Sequence, residues 1–452
     1  MNFEQRYKEL NKNQRKAVDT IEGPLLVVAG PGSGKTEILS LRVGKILKET
    51  QILPSNILCL TFTESATVNM RKRLAGLIGQ EAYRVAIHTF HSFCVEIIQK
   101  YPEYFYSGAL YSPADELTQV QIIQDIFENL PNRNPLKVLH PEEGFVYLRD
   151  VLRTIANLKK AGIEPDEFNR IIKHNEELLL EINEIIQSTF DEKIGKEIFA
   201  KIDKALNKLH KIAEKSTKNF PSPYFNNISF SIYTSLKKSY DEALEKEKTS
   251  PITAWKTKWI KKDDDGKNLF KDFVNIEKLY AVSDIYTKYR QVMHEKSYYD
   301  FDDMILDCLN TLEKNPSLKY EIQEQYQYIL VDEFQDTNEA QMRLLKIITN
   351  AEVNEGKPNI MAVGDDDQAV YKFQGAELSN ILNFKNTFKD VEIVTMTDNY
   401  RSTQDILDIA SHIIKKGEER LEKLLPEIEK NLISSNPKIL KGNIKHKEFQ
   451  TV

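Results

Sequence analysis

The stretch "PLLVVAGPGSGKT" (Pro24–Thr36) decides the fold. Its first half is a short apolar run that predicts a buried strand, and its second half fits G-x-x-x-x-G-K-[ST]. Glycines let backbone N–H groups wrap around a phosphate, and the N-terminus of the following helix adds positive charge. Lys35, exposed on the loop, would neutralise the outer phosphates, and the Thr36 hydroxyl would ligate Mg²⁺. The predicted cofactor-binding residues of this loop are Ala29, Gly30, Pro31, Gly32, Ser33, Gly34, Lys35 and Thr36.

Further apolar runs indicate that the loop belongs to a parallel α/β sheet, because strand-like runs alternate with helical patterns. These runs are "NILCLTF" (Asn56–Phe62), "RVAIHTF" (Arg84–Phe90), "YQYILVDE" (Tyr326–Glu333), "NIMAVGD" (Asn359–Asp365) and "VEIVTMT" (Val391–Thr397). Between the second and third of these runs the patterns are long, amphipathic and helical, so the sheet is interrupted by an insertion. The predicted organisation is a first core domain (1–92 and 300–390), a helical insertion (93–299) and the start of a second core domain (391–452).

One piece of the insertion, Glu245–Asn268, is polar and contains Pro251 and Gly266, and it predicts a loop. In the core, the aspartates from Asp365 to Asp367 follow a strand and predict a charged turn rather than a metal site.

Composition narrows the class of protein. Apolar residues make up 41% and charged residues 29%, as in soluble globular chains. No apolar run approaches the roughly 18 residues of a membrane-spanning helix, and the N-terminus lacks a signal-peptide pattern, so a cytoplasmic location is expected. The cysteines Cys59, Cys94 and Cys308 have no metal-ligand spacing and are expected to be free thiols.

Charge alone does not identify a partner. The net charge is −6, whereas residues 201–290 carry 19 Lys and Arg against 12 Asp and Glu. A basic segment on an acidic protein is either a phosphate-tracking surface or a solvated helical face, and charge by itself favours the second interpretation.

A second acidic motif complements the phosphate loop. In "YILVDEFQDT" (Tyr328–Thr337) an apolar strand ends directly in Asp332 and Glu333. Open α/β sheets bind ligands at the carboxyl ends of their strands. Asp332 is therefore expected to hold Mg²⁺ together with Thr36, and Glu333 is expected to orient or deprotonate an attacking water.

These motifs belong to an ordered series, and the chain resembles a superfamily 1 DNA helicase of the UvrD/Rep type over residues 10–404. The segments that carry the resemblance are "LNKNQRKAV" (Leu10–Val18), the phosphate loop, "LCLTFTESATVNMRKRL" (Leu58–Leu74), "IHTFHSF" (Ile87–Phe93), "YYDFDDMI" (Tyr298–Ile305), "VDEFQDTNEAQ" (Val331–Gln341), "VGDDDQAVYKFQGAE" (Val363–Glu377) and "TDNYRST" (Thr397–Thr403). The resemblance implies a P-loop NTPase (RecA-like) fold that uses ATP and Mg²⁺.

The resemblance also implies roles for residues around the nucleotide. Gln14 would bond the edge of the adenine base, and Tyr400 would stack on the ring. Gln368 would sense the γ-phosphate, and the Arg401 guanidinium would reach the same phosphate and stabilise its charge. With Lys35 and the two strand-end acids, Gln368 and Arg401 complete the expected catalytic set.

Single-stranded DNA is the partner that the resemblance implies. Bases stack on aromatic side chains, and polar groups at strand ends contact phosphates. The expected DNA-binding residues are Phe62, Thr63, Thr89, His91, Tyr371 and Phe373. Strand-end aromatics are also common core residues, so the structural interpretation stays open for each of them.

Two positions depart from the family pattern. Glu37 stands where the family usually has an arginine beside adenine, and Phe373-Gln374-Gly375-Ala376 replaces an aromatic-Arg-Gly-Ala sequence. The family's later motifs, including a second arginine, would lie beyond residue 452.

Two functions are therefore expected. The first is an ATP-dependent 3′–5′ DNA helicase or translocase of DNA repair or recombination, completed by a missing segment or a second polypeptide. The second is a nucleotide- and DNA-binding module with little ATP turnover.

Overall fold

A computed structural model describes most of the chain. The described residues are 3–105, 111–192, 194–195, 197–218, 220, 227–262, 266–271, 275–368, 379–414, 428 and 430–436. They form two compact units, one from segments 1–110, 159–162 and 300–452, and the other from 111–158 and 163–299. We call them the sheet unit and the helical unit.

The strands are short, and six of the fourteen in the described residues belong to one central sheet. In chain order they are β1 (Leu25–Ala29), β2 (Ile57–Thr61), β3 (Ala86–Thr89), β4 (Ser112–Pro113), β5 (Leu139–His140), β6 (Gly144–Phe145), β7 (Ile260–Lys262), β8 (Asn268–Phe270), β9 (Tyr298–Tyr299), β10 (Tyr328–Val331), β11 (Ile360–Gly364), β12 (Glu392–Met396), β13 (Asp398–Asn399) and β14 (Ile433–Ser434). The central sheet has six parallel strands in the order β12-β1-β11-β10-β2-β3. The expected α/β fold with a parallel sheet is thus confirmed.

Both units contain helices. In chain order they are α1 (Phe3–Lys8), α2 (Lys12–Asp19), α3 (Lys35–Glu49), α4 (Glu64–Ile78), α5 (Phe90–Lys100), α6 (Glu116–Glu128), α7 (Leu148–Lys160), α8 (Pro165–Thr189), α9 (Ile198–Lys218), α10 (Ile228–Glu245), α11 (Ser250–Trp259), α12 (Ile276–Glu295), α13 (Phe301–Lys314), α14 (Pro316–Gln325), α15 (Glu339–Thr349), α16 (Ser379–Thr387) and α17 (Gln404–Ile414). Among the described residues, none of these helices is long and apolar enough to cross a bilayer.

The sheet is buried on both faces, which explains its continuous apolar strands. In β1, Leu26 and Val28 pack into one core cluster, whereas Leu25, Val27 and Ala29 pack into the other. Successive side chains of a strand point to opposite faces, so one five-residue strand contributes to both cores. The phosphate loop therefore follows a strand that is packed on both faces.

Three observations differ from the sequence-based expectations. α11 (Ser250–Trp259) and the β7–β8 hairpin occupy the segment expected to be a loop, because Pro251 lies in the first turn of α11, where a missing N–H is tolerated. α5 packs into a core of the sheet unit through Phe93 and Ile97, although residue 93 was expected to start the insertion. β12 pairs with β1, so the central sheet continues past the expected boundary at residue 390.

Candidate nucleotide and nucleic-acid site

The phosphate loop is held by its own hydrogen bonds. Ser33 is 1% exposed, and its Oγ donates to the Gly30 carbonyl at 2.6 Å. Gly32 and Gly34 have φ values of +71° and +93°, a left-handed conformation that favours glycine. α3 begins directly after Gly34, so its unpaired N–H groups and positive end face the loop. The loop is consequently an anion-binding cradle.

Lys35 is the first residue of α3 and lies against the acidic motif. Its Nζ donates to Glu333 Oε2 at 2.7 Å, and its side chain is only 11% exposed. The expectation that Lys35 is exposed on the loop is therefore wrong, because Glu333 holds its ammonium across the sheet edge. Glu333 has φ +47° and ψ +47°, an unusual left-handed conformation for a non-glycine residue. Two side chains 298 positions apart in sequence thus meet directly.

Asp332 is a buried acid at the end of β10. It is 7% exposed, and its Oδ1 accepts the backbone N–H of Glu333 at 3.0 Å. Burial raises the pKa of the Asp332 carboxyl to about 6; the charge of Glu333 adds to this shift and Lys35 opposes it. Asp336 is similar, since burial and then Glu333 raise its pKa to about 6, and its buried Oδ1 lacks a hydrogen-bond partner. A cation beside these carboxylates would offset their mutual repulsion.

The donor types of Thr36 and Asp332 fit Mg²⁺. A hydroxyl and a carboxylate are hard oxygen ligands, and Mg²⁺ usually takes only one or two of them, keeping waters and substrate phosphates in its other positions. The described residues contain no cluster of three or more His, Cys, Asp or Glu side chains placed to hold a metal. A metal here would therefore depend on nucleotide phosphate for most of its ligands.

Gln335 connects the acidic motif to the strand beside it. Its Nε2 donates to Glu333 Oε2 at 2.8 Å, and its Oε1 accepts the backbone N–H of Asp365 at 2.9 Å. Gln368 Nε2 in turn donates to Asp365 Oδ2 at 2.6 Å. The expected turn is present over Asp366–Gln368, but Asp365 is fully buried rather than a solvated charge.

The predicted adenine-side residues meet around Asn11. Gln14 is 6% exposed, and its Nε2 donates to the Ser33 carbonyl at 2.9 Å while its Oε1 accepts the Asn11 N–H at 3.1 Å. Asn11 Nδ2 donates to the Tyr400 hydroxyl at 3.0 Å. Gln14 and Tyr400 are thus brought to the same end of the phosphate loop, and their adenine roles stay predictions.

The segment that contains Arg401 lies on the phosphate loop. The Tyr400 N–H donates to the Gly32 carbonyl at 2.9 Å, and Asn399 Nδ2 donates to the Pro31 carbonyl. A Cβ added at Gly32 would lie 2.7 Å from the Arg401 Cβ. The backbone of Arg401 is therefore next to the loop, and its side chain is exposed.

The expected DNA residues that the structure describes lie at the ends of two neighbouring strands. β2 and β3 pair in parallel with Thr61 opposite Thr89, so their carboxyl ends share one edge. Phe62 is half-buried, and Thr63 is exposed and caps α4 by accepting the Ala66 N–H at 3.1 Å. Thr89 is buried, and its hydroxyl donates to Glu64 Oε1 at 3.1 Å. Thr63 is thus more available to a ligand than Thr89.

His91 is the second residue of α5, close to the same edge. Its ring packs on Phe301 with centroids 4.7 Å apart, and burial lowers the pKa of His91 to about 4. A phosphate contact from His91 would therefore come from a neutral imidazole near pH 7. Phe301 is 68% exposed and was not among the expected DNA residues.

Comparison with known proteins identifies the family. Residues 10–389 match the family model described as the UvrD/REP helicase N-terminal domain. The chain belongs to this family. Among curated proteins it is similar to the ATP-dependent DNA helicase PcrA of Staphylococcus epidermidis (27% identical over 418 residues), Bacillus subtilis strain 168 (27% over 416) and Staphylococcus aureus (26% over 414). Each match covers 92% of this chain and 41% of the relative, so the chain spans less than half of their length.

Two features remain distinctive for a member of the UvrD/REP family. Glu37 accepts hydrogen bonds from Arg6 at 3.1 Å and from Arg73 at 3.0 Å. Two arginine side chains therefore lie beside position 37, where the resemblance implies a single arginine. Tyr371 and the segment Phe373–Ala376 lie outside the described residues, and their DNA and coupling roles stay predictions.

Three residues of the site were not assigned from sequence. Gln335 lies inside the quoted acidic motif, and Asn11 precedes Gln14 by three residues, so both could have been identified from the sequence motifs. Asn399 is adjacent to Tyr400, but its contact with the phosphate loop spans 368 positions and gives no local signal.

Proposed function

We propose that the chain is the ATP-hydrolysing N-terminal part of a UvrD/REP-family DNA helicase or translocase. It would act on single-stranded DNA or on DNA with a 3′ single-stranded tail, moving 3′ to 5′ in DNA repair or recombination in the cytoplasm. One observation carries the proposal: the Lys35 ammonium lies 2.7 Å from Glu333, at the point where the phosphate loop meets the acidic end of β10.

The roles of the residues follow from this arrangement. Binding of ATP would move Lys35 from Glu333 onto the β- and γ-phosphates, since a triphosphate carries more negative charge than one carboxylate. Glu333 would then be free to accept a hydrogen bond from the attacking water and orient it toward the γ-phosphorus. Arg401 would stabilise charge on the transferring phosphoryl group, and Gln368 would contact the same group.

Asp332 and Thr36 would hold Mg²⁺, which supplies charge neutralisation at the phosphates when it is bound. A carboxyl with a pKa raised to about 6 is ionised at pH 7. A bound cation would further favour the ionised form of Asp332. Gln14 and Tyr400 would bind the adenine at the other end of the loop.

The DNA site would lie at the carboxyl ends of β2 and β3, with Phe62 as a stacking residue and Thr63 as a phosphate contact. We propose that the sheet unit is the first core domain, that the helical unit is inserted in it, and that the residues after β12 begin a second core domain. The proposed roles of Thr89 and His91 are secondary, because Thr89 is buried and His91 is neutral.

A second candidate is a nucleotide- and DNA-binding module with little turnover that acts with a partner chain. The chain covers 41% of relatives whose names state helicase activity, so turnover by this chain is a separate question for experiment. Hydrolysis of ATP by the purified chain, measured with and without single-stranded DNA, separates the candidates. DNA-stimulated turnover supports the enzyme, whereas stoichiometric binding without turnover supports the module. Movement toward a 5′ end, compared on oppositely oriented strands, would test the direction.

The nucleotide site itself is tested by Lys35→Ala. We expect the affinity for MgATP to fall at least about a hundredfold, because the cation at the phosphates is lost. Lys45→Ala is the matched control, since Lys45 lies in the same helix, is 17% exposed and pairs with Asp19 and Glu49. Unchanged nucleotide affinity in Lys35→Ala, or an equal loss in Lys45→Ala, would overturn the site assignment.

A further inference from the structure

A buried carboxylate holds Gln368 in place. Asp365 follows β11, and its side chain is 1% exposed. Its Oδ2 accepts Gln368 Nε2 at 2.6 Å, and its Oδ1 accepts the Asp367 N–H at 3.2 Å. The Gln368 N–H also donates to the Asp365 carbonyl at 3.0 Å. The position of the Gln368 carboxamide therefore depends on the position of the Asp365 carboxylate.

Lys430 provides the countercharge from a distant part of the chain. Its Nζ lies 2.8 Å from Asp365 Oδ1 and 3.2 Å from Asp367 Oδ2, and its side chain is 5% exposed. A buried lysine with two carboxylates fixes the geometry of all three groups, because separating them would leave charges unpaired in a low-dielectric site. Burial lowers the pKa of Lys430, Asp365 acts in the opposite direction, and the charge of Lys35 adds to the lowering.

The segment around Lys430 also contacts the phosphate loop. A Cβ added at Gly30 would lie 2.6 Å from Leu432 Cδ2, so the Leu432 side chain lies directly over this glycine. β14 pairs in parallel with β13, the strand that leads into Tyr400. The segment 430–436 therefore lies beside the same phosphate end as Arg401.

A continuous chain of contacts joins Lys430 to Lys35. Lys35 donates to Glu333, Gln335 joins Glu333 to the backbone of Asp365, and the Asp365 side chain receives Lys430. Each contact is between 2.7 and 2.9 Å. A change in the partner of Lys35 can thus be transmitted to the residues that orient Gln368.

We propose that Lys430 is a positioning residue for γ-phosphate recognition, which acts through Asp365 to hold the Gln368 carboxamide toward the outer phosphate. The proposal rests on the proposed nucleotide function, and it assigns the role to a residue outside the motifs that carry the family resemblance. It predicts that the loss of Lys430 weakens ATP more than ADP, because ADP has no γ-phosphate for Gln368 to contact.

The test is a comparison of two nucleotides in the 452-residue chain. Dissociation constants for Mg²⁺-ATPγS and Mg²⁺-ADP are measured for the wild type, Lys430→Met, Lys430→Arg, Gln368→Ala and the Lys430→Met/Gln368→Ala double variant. Lys430→Met should weaken the binding of ATPγS about tenfold, which corresponds to the loss of one charge-assisted hydrogen bond. The same variant should weaken the binding of ADP less than about twofold. Lys430→Arg keeps the charge and should retain most of the ATPγS affinity.

The double variant separates positioning from general stability. In the Gln368→Ala background, Lys430→Met should have little further effect, because the group it positions is already gone. Lys159→Met is the matched control: Lys159 is a fully buried lysine that pairs with Asp300 at 2.5 Å and Asp303 at 2.7 Å, and its loss should leave the ATPγS-to-ADP ratio unchanged. If Lys430→Met does not fold, Asp365→Asn/Lys430→Met removes the more buried of the two carboxylate partners together with the lysine and carries the same comparison.

The outcomes are distinct. Equal weakening of both nucleotides, or an undiminished effect of Lys430→Met in the Gln368→Ala background, would overturn the positioning role while leaving the nucleotide site intact. A wild-type chain that binds neither nucleotide would overturn the proposed function, and this inference with it.

Discussion

The substitution Asp332→Asn should make the ligand-free protein more stable at neutral pH. Asp332 is buried at the end of β10, beside Glu333, and the positive charge nearest to it, Lys35, is shared with Glu333. Asparagine has nearly the same volume, and its Oδ1 can still accept the Glu333 N–H that Asp332 Oδ1 accepts. The substitution therefore removes a poorly compensated charge while keeping the local geometry.

The size of the effect follows from the pKa of Asp332. Burial raises this pKa from 3.8 to about 6, so ionisation of the folded protein is disfavoured by about 2 pKa units, or about 3 kcal/mol. Because the folded pKa is the higher one, the folded state binds the proton more tightly, and stability falls as pH rises from about 4 to about 6. The destabilisation is complete above pH 6, so the advantage of the asparagine is about 3 kcal/mol at pH 8 and roughly half that at pH 5.

This reasoning is tested by measuring the melting temperatures of the wild type and the variant side by side, at pH 5 and pH 8, without nucleotide. For a unit of this size the expected gain at pH 8 is several degrees, with roughly half of it remaining at pH 5. Asp390→Asn is the control, because Asp390 is 74% exposed and Lys357 lowers its pKa, so its loss should give no gain. Added Mg²⁺ and ATP should stabilise the wild type more than Asp332→Asn.

A variant that is no more stable than the wild type at pH 8, or whose advantage is the same at both pH values, would refute the account. Either result would mean that the Asp332 carboxylate is well compensated without a bound cation. The site would then not favour Mg²⁺ by the electrostatic reasoning given above.

Two further predictions concern His91 and the phosphate loop. Burial lowers the pKa of His91 to about 4, so the folded state resists protonation and the stability of the wild type falls as pH drops from about 6.5 to 4. The His91→Gln variant should therefore be more stable than the wild type by about 2 kcal/mol at pH 5 but by little at pH 7.5. Melting temperatures at the two pH values test this, and a difference that does not depend on pH would contradict it. Gly32→Ala should lower both melting temperature and nucleotide affinity, because Gly32 has φ +71° and its new Cβ would lie 2.7 Å from the Arg401 Cβ. Gly76→Ala in α4, where no atom lies within 4 Å of an added Cβ, should be neutral or stabilising, and equal effects of the two substitutions would refute the steric argument.

The strands of the fold were predictable where a short sequence segment is sufficient to identify them. A run such as Leu25–Ala29 is short, apolar and followed by a glycine-rich loop, and each of these properties is readable without knowing the partner strands. The same holds for Asp332 at the end of β10, because an apolar run that ends in an acid marks a strand terminus. Parallel pairing then follows, since strands that alternate with helices return in the same direction.

The site was only partly predictable because its side chains are paired across long sequence separations. The Lys35–Glu333 contact and the Asp365–Lys430 contact join residues 298 and 65 positions apart, and no local pattern encodes such pairs. The expectation of an exposed Lys35 failed for this reason. Pro251 illustrates the complementary error: a proline was treated as a breaker, although in the first turn it begins a helix.

The strand order gives a physical reason for how nucleotide state could reach DNA. In the sequence β1-β11-β10-β2, the phosphate loop and the strand that leads to Phe62 are three strand spacings apart, about 14 Å. A direct contact between a phosphate and a base at that distance is excluded, so any coupling must pass through the strands between them. Those strands are β10 and β11, which end in Asp332-Glu333 and in Asp365, and Gln335 hydrogen-bonds the two ends together. Asp365 also holds Gln368 and Lys430, so the carboxyl ends of the two central strands connect Lys35 to the group proposed to contact the γ-phosphate. β10 pairs with β2, the strand at whose carboxyl end DNA is proposed to bind.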